Sequence, residues 1–451
     1  RQETMFVGIK RFLSAHNALF SVNDFTLKSW RYFTLSASEQ ITDEESARAK
    51  IQEILNDAIN LRLRSDAKLA LALSGGVDSN IIATQVSARL DAQSKGKLEC
   101  FSSIYEDETQ INENTLIEKS AQRLALRSHL VHSNLQNLLQ TLPELVYAQD
   151  EPFDTLGMFA QNMVYKNMHL SHVKVSLDGQ GADEIFAGYA TYKAILLRQN
   201  PLSYARQFGF KSFLSDAKIC ALSFAPRLFE RLYFKKRAQK AFNTSRIFIP
   251  SLKQSFTHFA NLNEKLRLDV IENLSVLLRY VDRNSMSAGI ESRAPFLDYR
   301  LISYALTLSH KLKFKNGFSK YILRKSFQDV SKEVLWNKDK KGFPVPQKSW
   351  CESEEFTQFV RPFLLESRLL KSLDVNLNIA KAEIRIAQSN LASAQIRVEK
   401  AQTQLSYTEI RSPKDTTVVS VIAKSGQTLV TTQQAPILMQ LADIETMEIE
   451  A

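Results

Sequence analysis

Apolar and polar positions follow several distinct patterns along the chain. Glu3 to Arg11 (ETMFVGIKR) and Asn17 to Phe33 alternate in short runs around Val22-Asn23-Asp24, which predicts a hairpin. Ile51, Ile54, Leu55 and Ile59 then recur at helical spacing. They predict a helix over 43–63, opened by Thr42 as cap with Glu45 at the third position. Leu69 to Leu73 is an unbroken apolar run, as in a parallel strand covered on both faces, and Ile81, Ile82, Val86 and Leu90 return to helical spacing. Over the next hundred residues the pattern predicts a strand at Leu98 to Tyr105, a helix at Glu113 to Ala125 and a strand at Ser128 to His132. A helix at Leu135 to Tyr147, broken near Pro143, and a strand entering Val175 follow. Such alternation predicts an α/β fold, a parallel sheet with helices on both faces, whose ligands gather at the carboxyl ends of the strands. Past Tyr189 the pattern is helical and punctuated by Pro201, Pro226 and Pro250.

The period changes again near the C-terminus. Leu377, Ala380, Ile384, Ala387, Leu391, Ala394, Val398, Ala401, Leu405 and Thr408 step by three and four, which predicts a coiled-coil helix over 371–412 and a route to homo-oligomers. Pro413 ends it, and Thr416 to Ile422 and Leu429 to Ala442 read as β structure.

Composition narrows the class. The 451 residues are 44% hydrophobic and 24% charged, enough for a large core and two or three domains. No run of about 18 apolar residues occurs, so no membrane-spanning helix is expected. Cys100, Cys220 and Cys351 lack CxxC spacing and read as reduced and structural, in keeping with a cytoplasmic chain. Arg1 at the start suggests a fragment or a processed product. The net charge of +10 suits polyanions, ATP among them. The basic stretch Arg227 to Lys240 reads as a solvated helix face, with no nucleic-acid module beside it.

Chemistry concentrates in Leu69 to Ser79, LALALSGGVDS. After a buried strand, Gly75 and Gly76 let the backbone approach a ligand, and the N–H groups opening the next helix favour an anion. The lysine of a GxxxxGK[ST] loop is absent and Asp78 stands there instead. A carboxylate beside a phosphate calls for a hard cation such as Mg²⁺, which suits cleavage of ATP between its α and β phosphates. Two further stretches are expected at the same sheet edge: Asp150 to Asp154, and Val173 to Tyr189, where Asp183 or Glu184 would supply a second Mg²⁺ carboxylate. In Arg279 to Asp298, charges at Asp282, Arg283, Glu291, Arg293 and Asp298 within an apolar context favour a binding pocket over a structural ion-pair cluster. Lys320 and Arg324 share a helical face, and Lys338 to Pro346 is a basic Gly-Pro loop, either a phosphate lid or a connector.

SGGVDS resembles the SGGxDS motif of the PP-loop ATP pyrophosphatase superfamily, of adenine nucleotide alpha-hydrolase-like fold. The strings together, from about Glu3 to Leu370, resemble the glutamine-hydrolysing asparagine synthetases of bacterial type. That resemblance implies adenylation of the aspartate side chain by ATP and displacement of AMP by ammonia. It implies that Ser74, Gly75, Gly76, Asp78 and Ser79 hold the pyrophosphate and that Leu73 touches the nucleotide. By the same resemblance Asp178 and Gly179 line the adenylate site, Asp78 and Asp183 ligate Mg²⁺, Lys320 neutralises charge on the α phosphate, and Glu291 and Arg293 belong to the substrate pocket.

Three departures from that family stand out. Gln180 occupies a position where many relatives carry an acid that helps form the adenylate. Residues 1–40 resemble only the last hairpin of the glutaminase domain, and no cysteine precedes Cys100, so 41–370 is expected to need free ammonia or a separate glutaminase. The C-terminal tail looks replaced: about Leu373 to Ala451 resembles half of the helical hairpin and lipoyl-like domain (413–451) of periplasmic adaptor proteins from macrolide-type efflux pumps. The alternatives are a non-catalytic coiled-coil assembly chain, or a related amide-forming ligase acting on another carboxylate.

Overall fold

The computed structural model describes residues 4–90, 96–105, 113–153, 155–199, 201–209, 261–337 and 345–366, together with 395, 398–402, 417–421 and 439–442. The chain divides into two units, Arg1–Leu373 and Asp374–Ala451.

The first unit opens with the expected hairpin, β1 (His16–Ser21) antiparallel to β2 (Thr26–Arg31). The alternating stretch before it is no strand: 5–8 is a turn, and Thr4 Oγ1 donates to the Ile9 carbonyl at 2.7 Å, closing the chain on itself. Helix α1 (Glu44–Arg62) buries Ile51, Ile54, Leu55 and Ile59 as predicted, with Ala47 and Ala58 between them. Its cap is Asp43 rather than Thr42. The Asp43 carboxylate accepts from Ser46 N at 2.7 Å and adds a negative charge where the helix dipole favours one.

The core is a five-stranded parallel sheet in the order β5-β4-β3-β6-β7. Its strands are β3 (Leu69–Ala72), β4 (Glu99–Ile104), β5 (Arg127–His132), β6 (Val175–Leu177) and β7 (Glu291–Arg293). Alternate residues serve opposite layers. Leu71, Leu73, Cys100, Val175 and Leu177 pack with α1 and α2 (Val77–Ser87), whereas Ala70, Phe101 and Val131 pack with Val164, Tyr165 and Met168 of α5 (Gly157–Leu170). Both faces are therefore covered, which is why the strands read as continuous apolar runs. Between them lie α3 (Asn114–Arg123) and α4 (Leu135–Gln149). Helix α4 runs through Pro143 without the expected break, because Leu138 and Leu145 on either side of the proline are anchored in one apolar cluster. Cys100 is buried and free, its thiol pushed up to about 11 by burial.

The strand order holds the functional information. From β3 the chain goes outward to β4 and β5, then returns to the other side of β3 for β6 and β7. The crevice at the carboxyl ends of β3 and β6 is thus the topological switch point, where open α/β sheets bind ligands. Strand β6 is followed by the single turn α6 (Ala182–Ile185), α7 (Ala190–Gln199) and α8 (Pro201–Phe208). Further helices are α9 (Leu262–Ile271), α10 (Asn273–Ser287), α11 (Tyr299–Ala305), α12 (His310–Lys313) and α13 (Tyr321–Ser326). Tyr192, Leu196, Tyr204, Leu262, Leu266 and Phe314 form the core of this helical part.

In the second unit, Thr417–Val421 and Met439–Ala442 form an antiparallel pair, and Gln395 and 398–402 are helical. The rest of the heptad stretch lies outside the described residues, as do Cys220, Arg227 to Lys240, Asp154 and 338–344. Among the described residues no helix is long and apolar enough to cross a membrane.

Lys313 is wholly buried, its Nζ donating to Asn263 Oδ1 at 2.6 Å and to the Leu308 carbonyl at 2.9 Å. Burial pulls its ammonium down to about 7, against a smaller opposing pull from Glu39. Above that pH the unfolded chain binds the proton that the folded chain has lost, so stability rises with pH until the unfolded lysine itself titrates near 10.4. Urea midpoints measured from pH 7.5 to 9.5 should therefore climb in the wild type by on the order of 1 kcal/mol per pH unit more than in Lys313→Met.

Candidate functional site at the sheet switch point

The loop after β3 is shaped by its own side chains. Ser74 N donates to Ser79 Oγ at 3.1 Å, and Ser74 Oγ lies 2.9 Å from the same oxygen. Buried Asn80 spans the turn, Nδ2 donating to the carbonyls of Ser74 at 2.9 Å and Gly76 at 2.8 Å. Leu73 is held to the sheet through its N–H on the Phe101 carbonyl at 3.0 Å. Helix α2 then begins at Gly76 with no side-chain cap, so its opening N–H groups and dipole are directed at the crevice.

The loop after β6 closes on this one. A Cβ on Gly179 would lie 2.9 Å from Asp78 Cβ and 3.0 Å from Ser79 N, so only glycine lets the two loops touch. Asp183 opens α6, and Lys320 joins both loops: its Nζ lies 2.5 Å from Asp78 Oδ2 and 2.6 Å from Asp183 Oδ1. Lys320 is 2% exposed and takes φ +54, an uncommon conformation for a side chain with a Cβ, as it caps α13. Burial alone would lower its pKa, but the combined attraction of Asp183 and Asp78 prevails and raises it. Gly188 makes room for the pair, since a Cβ there would meet Asp183 Oδ1 at 1.6 Å and Lys320 Cε at 2.3 Å.

Asp178 ends β6 in a different setting. It accepts from Ser292 Oγ at 2.5 Å and from Gln180 N at 3.1 Å, and burial pushes it up to about 6. The half-buried Gln180 thus reaches the cluster through its backbone. Glu291 and Arg293 do not join it. They pair with each other at 2.8 Å, and Arg293 Nη1 donates to the Arg62 and Arg64 carbonyls at the end of α1. Strand alternation is the cause: in β7 residues 291 and 293 share one face and Ser292 takes the other, toward Asp178. Three other charges of that stretch are also paired, Arg283 with Asp150 at 2.9 Å, Arg279 with Glu151, and Asp298 with Arg300 at 2.9 Å. Most of these charges thus form ion pairs among the described residues, the other of the two readings that their density allows.

Sequence reasoning missed Asn80, Ser292 and Gly188, and it left Asp183 and Glu184 as alternatives. Glu184 is buried, its carboxyl raised by burial and then by Asp183 despite the Tyr189 hydroxyl, which donates to it at 2.5 Å. The adjoining acids in Asp183-Glu184 were a signal for both, but only the fold separates the one that meets Lys320 from the one that meets Tyr189.

Magnesium and a nucleotide phosphate fit this arrangement. Asp78 Oδ1 is buried with no hydrogen-bond partner among the described residues, a costly state for a carboxylate oxygen unless a ligand completes it. Among the described residues no three His, Cys, Asp or Glu side chains gather as a metal cage. Magnesium in phosphate chemistry takes one or two carboxylates and the phosphates themselves.

Removing the shared cation would leave two half-buried carboxylates facing each other. Lys320→Met should lose about 3 kcal/mol of stability, most of it recovered in Lys320→Met with Asp78→Asn, a non-additivity read from a urea double-mutant cycle.

The asparagine synthase family model matches residues 50–407. Among curated proteins, asparagine synthetase [glutamine-hydrolyzing] 1 of Bacillus subtilis is 26% identical over 374 residues, covering 76% of this chain and 56% of the relative. Amidase chyE of Penicillium rubens is 23% identical over 408 residues, covering 77% and 60%. The chain spans about half the length of the curated relatives it matches. A solved ammonia-dependent NAD synthetase from Campylobacter jejuni aligns over 44% of this chain and 95% of its own at 17% identity, with a TM-score of 0.21, too slight a likeness to characterise the fold. With its SGGVDS loop at the switch point and a family match over most of its length, the chain belongs to the asparagine synthase family.

Proposed function

We propose that this chain carries the synthetase chemistry of an ATP-dependent amidoligase, with the aspartate side chain as the carboxylate substrate and ammonia, free or from a glutaminase, as the nitrogen source. The observation that carries the reading is the convergence of Ser74 to Ser79, Asp178-Gly179, Asp183 and Lys320 at one crevice.

Hydroxide is a poor leaving group, so the substrate carboxylate must first be activated. A carboxylate oxygen attacks the α phosphorus of ATP, the bond to the bridging oxygen breaks, and pyrophosphate departs with that electron pair. The nitrogen of ammonia then adds to the acyl carbon, the bond to AMP oxygen breaks, and the excess proton leaves with solvent. Magnesium bound at Asp78 and Asp183 would shield the phosphate charge. In this reading the N–H groups opening α2 hold the departing pyrophosphate and Lys320 meets the negative charge that builds on the α phosphate. Such placed charge is commonly the largest catalytic contribution, roughly 3 to 4 kcal/mol for one donor. Asp178, buried and hydrogen-bonded by Ser292, lines the adenylate side of the crevice.

A related ligase acting on a different carboxylate is the second reading, and Gln180 favours it, since a neutral amide stands where many relatives place an acid. Pyrophosphate release from ATP, measured with ammonium chloride and a panel of carboxylic amino acids, separates the two. Aspartate-dependent release that falls by at least roughly 100-fold in Asp78→Ala and in Lys320→Ala is expected. Release dependent on another acid selects the second reading. A folded chain releasing no pyrophosphate with any of them would sink both.

A further inference from the structure

One donor of the phosphate loop already has an anionic partner from within the chain. Gly75 N donates to Glu113 Oε2 at 2.8 Å, and a Cβ on Gly75 would lie 2.9 Å from both Glu113 Cβ and Oε2, so the carboxylate lies directly against the glycine. Glu113 comes from the element that follows β4, the neighbour of β3 on the side away from β6. It stands at the start of α3 yet makes no side-chain cap bond there.

To a backbone N–H, a carboxylate oxygen and a phosphate oxygen are equivalent partners, each a charged acceptor making a charge-assisted bond. They cannot share one donor, and at close range they repel. A partly buried N–H without any acceptor would cost free energy, and Glu113 removes that cost while no phosphate is bound. We infer that Glu113 is an internal competitor for the pyrophosphate-binding donors of this loop, displaced when a nucleotide's phosphates enter, and so a residue that sets nucleotide affinity. The inference rests on the nucleotide role proposed above for the loop.

Calorimetric titration of the full chain with magnesium ATP and, separately, with metal-free inorganic pyrophosphate tests it in wild type, Glu113→Gln and Glu113→Ala. Both ligands should bind more tightly in the variants, roughly threefold for glutamine, which keeps a neutral acceptor, and roughly tenfold for alanine, which keeps none. Should alanine impair folding, the isosteric glutamine carries the comparison. If Glu113 instead shaped the loop, both ligands would bind more weakly. If it held magnesium, ATP would weaken while pyrophosphate stayed the same. Either result, or unchanged affinity for both ligands, overturns the inference while leaving the nucleotide reading intact. Failure of wild type and variants alike to bind either ligand overturns both.

Discussion

One ammonium group between two carboxylates holds the crevice together. Lys320 reaches Asp78 on the loop after β3 and Asp183 on the loop after β6, so a single buried charge fixes two loops and the helical layer that supplies the lysine. Two acids and one base leave the trio with a net negative charge. Low exposure magnifies that imbalance, because water is not there to screen it. In the proposed function a magnesium ion at these carboxylates would offset that charge.

The surrounding packing serves the same end. Gly179 and Gly188 are the points at which backbone comes closest to these groups, and each lacks a side chain because there is no volume for one. Ser79 and Asn80 fold the first loop by hydrogen bonds internal to it, leaving the opening N–H groups of α2 available. Rigid placement of donors before a ligand arrives is what lets a phosphate site act without reorganising during the reaction.

Much of this was legible in the sequence, for identifiable reasons. The unbroken run Leu69 to Leu73 and the helical spacing after it revealed strand, loop and helix, because a strand buried on both faces leaves a distinctive pattern. Asp78 drew attention through the chemistry of a carboxylate beside a phosphate loop, Asp183 as one of two adjoining acids and Lys320 only through the resemblance, and the structure brings the three side chains together. Less visible was anything set by direction or register. Glu291 and Arg293 drew attention by charge, yet a period of two sends them to α1 and gives the site Ser292, an unremarkable residue in the linear text. The order of strands, which makes the β3–β6 crevice the topological switch point, depends on which strands pair across long intervals. Pro143 also misled, since helix propensity is local and the apolar anchors Leu138 and Leu145 outweigh it.

Asp78 and Lys320 are 242 positions apart. On a chain synthesised from its N-terminus, the strand, loop and helix that carry Asp78 are complete long before residue 320 leaves the ribosome. During that interval the carboxylate has no lysine to meet, although Glu113 and Gly179, which touch its loop, are already made. Closing so long an interval costs loop entropy before any contact rewards it. The lysine bridge across the crevice is thus a late product of biosynthesis, and a chain that stalled in the helical layer would present the SGGVDS loop without the cation that organises it.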